Sequence, residues 1–315
     1  MKDPMNDPMN ERLKDLVVVK APDSIWTSIE ANLDRGTPPR RESRRPWVLV
    51  LAAACSVAVA IFIWQQKKTP QASWDVVRLD GAPAVGSKAL GGAGKIAEGE
   101  WLQTDGSSRA RISVSNIGTV EVEPNTRVRF VASKPGEQRL RLAQGEISAS
   151  VSAPPRLFFV DTPASTAVDL GCAYTMKADP DGNGVLRVTL GWVALEWKGR
   201  ESLVPAGASC RTRPKVGPGT PYFDDAAPEL AQALETFDFA GGGDSALSVI
   251  LERARVRDTL TLWHLLSRVD AGSRQRVYDR MVELVPLPKT VSPERALQLD
   301  PATLKVWREE LAWKW

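Results

Sequence analysis

Apolar and polar residues alternate with a period of two through the middle of this chain. Ala110, Ile112 and Val114 alternate with Arg109, Arg111, Ser113 and Ser115. Val120 and Val122 alternate with Glu121 and Glu123, Val128 and Phe130 with Arg127 and Arg129, and Leu140 and Leu142 with Arg139 and Arg141. Ile147, Ala149 and Val151 continue the rhythm, followed by Leu186, Val188 and Leu190, then Val193, Leu195 and Trp197. This spacing predicts strands with one face buried and one face wet. Turn residues separate them: Ser115-Asn116, Pro124-Asn125, Lys134-Pro135-Gly136, Pro154-Pro155, Asp179 to Gly184, and Lys198-Gly199. Short, evenly spaced strands from Trp74 to about Arg211 predict an all-β sandwich, roll or short solenoid.

After Pro221 the apolar spacing becomes helical. Helices are expected over Ala227 to Phe237, Ser245 to Arg255, Asp258 to Val269, Gly272 to Leu284, Ser292 to Leu297 and Pro301 to Trp313. Asp258, Ser292 and Asp300 stand where N-caps are wanted, the last two directly before a proline. Leu262, Leu265, Leu266 and Val269 form one stripe. This region reads as a small α-helical domain over residues 222–315.

A third pattern lies near the start. Eighteen uncharged, mostly apolar residues run from Trp47 to Trp64. That length spans a bilayer core as a helix, and indoles favour its two ends. Arg40, Arg41, Arg44 and Arg45 precede the run, whereas Lys67 and Lys68 alone follow closely. The arginine cluster places the N-terminus in the cytoplasm. Arg44, Arg45, Trp47 and Trp64 are then the membrane-interface residues, and everything after the span is exported. A cleaved signal peptide needs its apolar stretch close to the start, but 46 residues come first here. A lipoprotein site at Cys55 would strand Ser56 to Trp64. A buried core helix would keep a polar face, and this run has none.

Residues 1–46 form the arm, 65–73 a linker and 74–213 the β domain. In the arm, Asp23 or Ser24 can cap a helix that presents Ile25, Trp26, Ile29 and Leu33 along one side. So short a segment buries such a stripe poorly by itself. The stripe lies on the membrane or docks into a cytoplasmic partner.

Charge and cysteine content narrow the picture further. The net charge is +3, much of the basic excess sitting beside the apolar run. That arrangement suits anionic lipid headgroups and gives no ground for direct nucleic-acid binding. No basic-aromatic interleaving of the single-strand-binding kind is present. Three cysteines, Cys55, Cys172 and Cys210, are too few for a disulfide scaffold.

Catalytic and metal motifs fail on inspection, so no enzyme, metal or other cofactor is expected. The single histidine, His264, lies in Leu262-Trp263-His264-Leu265-Leu266 without a nucleophile elbow. It reads as a helix-surface or hydrogen-bonded structural histidine. Asp179-Pro180-Asp181-Gly182-Asn183-Gly184 mimics a calcium loop, but its twelfth position is Leu190; a hairpin turn explains it better. Gly91-Gly92-Ala93-Gly94-Lys95 mimics a phosphate loop, yet Ala89 and Ile96 stand where Gly and Ser or Thr are needed. It reads as a flexible turn.

An ordered set of short motifs carries a resemblance. It begins with Gly99-Glu100-Trp101-Leu102-Gln103-Thr104 and Ser108-Arg109-Ala110-Arg111-Ile112. Val122-Glu123-Pro124-Asn125-Thr126-Arg127-Val128, Leu140-Arg141-Leu142-Ala143-Gln144-Gly145-Glu146 and Phe159-Val160-Asp161-Thr162-Pro163 follow. Leu190-Gly191-Trp192-Val193-Ala194-Leu195 and Val204-Pro205-Ala206-Gly207 close the set. In order and spacing this resembles the FecR family of membrane-anchored periplasmic sensors that regulate sigma factors. Gly171-Cys172-Ala173-Tyr174 and Asn116-Ile117-Gly118 depart from the family's usual Gly-Thr and Asp-Gly.

The resemblance implies a multidomain, single-pass inner-membrane protein with a cytoplasmic N-terminus and a periplasmic C-terminus. It implies an anti-sigma regulator whose arm meets an ECF-type sigma factor, with Ile25, Trp26, Ile29 and Leu33 as contacts. An envelope protein or ligand would act on the β domain. A membrane-anchored scaffold without a sigma partner is the alternative, and a hydrolase built around His264 the third reading. Because FecR-like domains bring the segments of Cys172 and Cys210 near each other, the two could form a disulfide. The other reading makes both small buried hydrophobes.

Overall fold

The structure, a computed structural model, describes residues 72–315. The arm, the apolar run 47–64 and most of the linker lie outside the described residues. So do Ile25, Trp26, Ile29, Leu33, Arg44, Arg45, Trp47 and Trp64. Among the described residues no helix is long and apolar enough to cross a membrane.

The alternating segments build two sheets, with strands numbered in chain order. The front sheet holds β1 (Ser73–Asp80), β4 (Ala93–Ala97), β6 (Arg109–Val114) and β7 (Gly118–Val122). It continues through the second half of β9 (Glu137–Val151) to β12 (Ala173–Ala178), β13 (Gly184–Leu190) and β16 (Ala208–Arg213). Its order is β4-β1-β6-β7-β9-β12-β13-β16, with every pairing antiparallel. Two short strands, β17 (Gly217–Pro218) and β18 (Tyr222–Phe223), finish the edge against β16.

The back sheet holds β2 (Ala84–Val85), β3 (Lys88–Ala89), β5 (Trp101–Gln103), β8 (Arg127–Lys134) and the first half of β9. Then come β10 (Phe158–Asp161), β11 (Thr166–Asp169), β14 (Trp192–Trp197) and β15 (Arg200–Pro205). Its order is β3-β2-β5-β8-β9-β10-β11-β14-β15, and β9 with β10 is its one parallel pair. Of the three architectures the alternation allows, the chain adopts the sandwich. The glycine-rich segment is only partly a turn: Ala93, Gly94 and Lys95 belong to edge strand β4, with Gly94 opposite Val76.

Strand β9 belongs to both layers. Residues Glu137 to Gln144 pair with β8, while Gly145 to Ser150 pair with β12. The bend falls at Gly145, whose φ of 94° lies in the left-handed region. A Cβ there would stand 2.4 Å from the Thr126 Cα, so only glycine fits. The inward side chains close one core. Trp74 of the front sheet stacks on Phe130 of the back sheet with ring centroids 4.0 Å apart.

The helices are α1 (Pro228–Phe239), α2 (Gly243–Arg253), α3 (Thr259–Leu266), α4 (Ala271–Leu284), α5 (Pro293–Leu297) and α6 (Pro301–Leu311). Asp270, Ser292 and Asp300 cap α4, α5 and α6 by accepting backbone N–H groups. Asp258 does not cap α3. Its fully buried carboxylate turns back and accepts from the backbone N and Nε of Arg255. Leu230, Leu247, Leu262, Tyr278 and Trp307 centre a second core. Leu260 of α3 instead joins the sandwich core beside Phe223, so helices and sheets pack as one compact unit.

Candidate functional site

Outward side chains differ sharply between the two sheets. On the front sheet the charges neutralise each other across strands. Arg109 Nε lies 2.9 Å from Glu123, and Arg111 Nη2 lies 2.7 Å from Glu121. Lys95 meets Asp75 at 2.8 Å. Hydrogen bonding to Glu123 raises the Arg109 guanidinium above its ordinary value.

On the back sheet, Arg129 of β8 stands directly opposite Arg141 of β9, and Arg127 lies two residues along β8. None of these three has a carboxylate within ion-pair distance among the described residues. Trp101, paired with Arg129 across β5, takes the Arg127 guanidinium over its ring at 4.1 Å and that of Arg129 at 5.7 Å. Those distances allow cation–π attraction. Arg129 Nε also donates to the Gly99 carbonyl at 2.9 Å.

Beyond β9 the same face carries a shallow groove of about 680 Å³, lined by Arg139, Phe159, Arg156, Trp197 and Arg200 among others. Two of its cations are compensated. Arg139 stacks over Phe159 at 4.6 Å while bonding Glu137 and Asp161, and Arg156 meets Glu196 at 2.8 Å. Lys198 and Arg200 line the groove without an ion-paired carboxylate among the described residues. Apart from these two, Arg127, Arg129 and Arg141 form an uncompensated group on the adjacent strands β8 and β9. Their outward positions are visible in the alternation of β8 and β9. Their lack of acidic neighbours is not, because the cross-strand partners come from elsewhere in the chain.

Of the two readings of Cys172 and Cys210, the disulfide is not formed; both are free, buried thiols. Strand β13 lies between β12, which follows Cys172, and β16, which carries Cys210. Cys210 is level with Leu186 and so with Met176, four residues along from Cys172. Two strand spacings plus that offset put the cysteines well over about 10 Å apart, beyond the roughly 7 Å reach of a disulfide. Each thiol has its own acceptor: Asp169 Oδ2 for Cys172 at 2.7 Å and the Gly219 carbonyl for Cys210 at 3.2 Å. Burial raises the Cys172 thiol and pushes Cys210 up to about 12.

His264 is buried, and both ring nitrogens are engaged by backbone. Leu203 N–H donates to Nε2 at 3.0 Å, so Nδ1 carries the proton and donates to the Leu260 carbonyl at 2.9 Å. Burial holds its pKa down to about 3. A neutral ring with no free nitrogen cannot serve as a general base, which removes the only histidine from catalysis. The loop Asp179 to Asn183 is the turn between β12 and β13, flanked by strands as a hairpin requires.

A buried polar cluster joins sheets to helices. Arg268, after α3, donates to Ser202 Oγ at 2.6 Å and Thr220 Oγ1 at 2.9 Å, and lies 3.5 Å from Asp238 of α1. Burial raises the Asp238 carboxyl, while Arg268 and two hydrogen bonds from Thr220 oppose that shift. Nothing in the local sequence around Arg268 announces this partnership, which reaches 66 residues back to Ser202.

The family model for FecR protein matches residues 101–193. This match runs from Trp101 into β14, and the later strands complete the sandwich. Two crystal structures of a candidate anti-sigma factor from Parabacteroides distasonis ATCC 8503 are similar at 15% sequence identity, each with a TM-score of 0.36. The likeness covers 42% of this chain and 63% and 62% of those chains, so this chain spans less than two thirds of their length. No curated protein matches significantly.

Proposed function

We propose that this FecR-domain chain is a single-pass inner-membrane regulator that relays an envelope signal to a cytoplasmic ECF-type sigma factor. The observation that carries the reading is the FecR match over residues 101–193, in a chain whose eighteen-residue apolar run precedes it. The arm holds the sigma factor through Ile25, Trp26, Ile29 and Leu33, with Trp26 as anchor because buried aromatics dominate interface energies. An envelope protein or ligand acts on the sandwich. No step of this mechanism is chemical catalysis.

Capture of sigma factors by the full chain tests the reading. Wild type is expected to retain a sigma factor, and Trp26→Ala or Ile29→Asp to lose it while membrane insertion persists. Retention by both variants, or recovery of no sigma factor at all, overturns it. Phosphatase fused after Trp315 is expected to be active, and fused before residue 46 inactive.

A further inference from the structure

We propose that the face formed by Trp101, Arg127, Arg129 and Arg141 docks the sandwich onto anionic lipid headgroups of the membrane that anchors it. The inference rests on the membrane topology proposed above. Three features of the fold support it, and the first is charge. Arg129 and Arg141 oppose each other directly across β8 and β9, an arrangement of like charges that weakens a sheet. The front sheet shows that this chain pairs its arginines with glutamates elsewhere. Guanidinium groups left in this state are matched by phosphate, which they grip through two parallel hydrogen bonds.

The second feature is chemical type. Trp101 is half-buried and has two guanidinium groups within reach of its ring. Indole and arginine together are suited to the headgroup layer, where one end of each group is apolar and the other wet. Position supplies the third. The Ala72 carbonyl, at the entry to β1, accepts from Glu98 N at 3.0 Å, and the next residue, Gly99, accepts from Arg129. The arginine face thus lies beside the point where the chain enters the sandwich. Seven residues, 65–71, separate that entry from the apolar run, a tether of at most about 25 Å.

The test uses the full chain in lipid nanodiscs, with Gln144→Cys labelled by an environment-sensitive dye on a Cys55→Ser background. Gln144 is exposed and pairs with Arg127. Discs contain phosphatidylcholine alone or phosphatidylcholine with phosphatidylglycerol, and carry a headgroup quencher. Quenching is expected in the anionic discs, with little in the neutral ones. It should vanish in high salt and in the variant Arg127→Gln, Arg129→Gln, Arg141→Gln. Three such cations change lipid affinity by on the order of a hundredfold. Arg111→Gln with Glu121→Gln on the front sheet should leave quenching unchanged.

Equal quenching in both lipids, or in the triple variant, overturns the proposal. So does a face shielded by added polyglutamate but never by the anionic disc, which would assign it to an acidic protein. Failure of the chain to embed in either disc would instead refute the topology. The face is then read by flotation with phosphatidylglycerol vesicles, where binding lost in the triple variant upholds it and no binding overturns it.

Discussion

The backbone N–H of Leu203 in β15 donates to Nε2 of His264 in α3 at 3.0 Å, joining a sheet edge to a helix through a neutral imidazole. Protonating Nε2 would replace that acceptor with a second donor. Because the folded pKa is held down to about 3 against an unfolded value near 6.5, the unfolded chain binds the extra proton first as pH falls. Stability from this site is complete above about pH 6.5 and is lost progressively toward pH 3, by on the order of 4 kcal/mol.

His264→Gln preserves one acceptor and one donor without titrating. Urea unfolding at pH 7 and pH 4 should show a smaller loss of stability for this variant than for wild type. Equal losses would mean that His264 does not report the junction.

Removing Arg268 should be costly. Its side chain is 5% exposed and that of Asp238 is 6% exposed. Arg268→Met leaves a buried carboxylate without its cation, a loss of about 3–5 kcal/mol. Adding Asp238→Leu should recover part of it. A double variant as unstable as the single one would contradict this account, with chemical denaturation as the measurement.

Gly145→Ala forces a Cβ into the Thr126 backbone at a positive φ. We expect a loss of more than about 1 kcal/mol, read as a lower melting temperature. An unchanged melting temperature would show that the bend in β9 does not need glycine.

Reversing one charge on the back sheet should stabilise the fold. Arg141→Glu converts a repulsive pair with Arg129 into an attractive one, a gain of roughly 0.2–1 kcal/mol. The same change should weaken binding to anionic lipid. Thermal unfolding with and without salt checks the sign, since salt should erase the gain.

Thiol chemistry separates the two cysteine readings. Cys172 and Cys210 should resist alkylation in the folded chain, because burial disfavours both thiolates. They should label fully on unfolding without any reductant. A thiol released only by reduction would restore the disulfide.

Most elements were legible because their patterns are local. The alternation of Ala110, Ile112 and Val114, or of Val120 and Val122, states which face is buried wherever its partner strand comes from. Helices α1 to α6 fall on the stretches marked by spacing and caps. The misreadings share a different cause. Gly94 resembles a turn residue until Val76 pairs with it, and Asp258 resembles a cap until Arg255 takes its carboxylate.

The double membership of β9 did leave a trace. Buried positions run 140 and 142 before the bend, then 147, 149 and 151 after it. The phase slips by one residue at the segment holding Gly145. The arginine face was half legible: alternation put Arg127, Arg129 and Arg141 outside, but only the fold shows that no carboxylate meets them.

A single covalent strand shared by two sheets acts as a rivet. The layers cannot slide past one another unless β9 lets go of both its neighbours in one sheet, β7 and β12 or β8 and β10. A partner pulling on one layer therefore drags the other with it. If the domain relays a signal as proposed, internal shear is closed to it as a way of passing that signal on. For the proposed function what remains is displacement of the whole block against its tether, so stiffening or lengthening residues 65–73 should change the response.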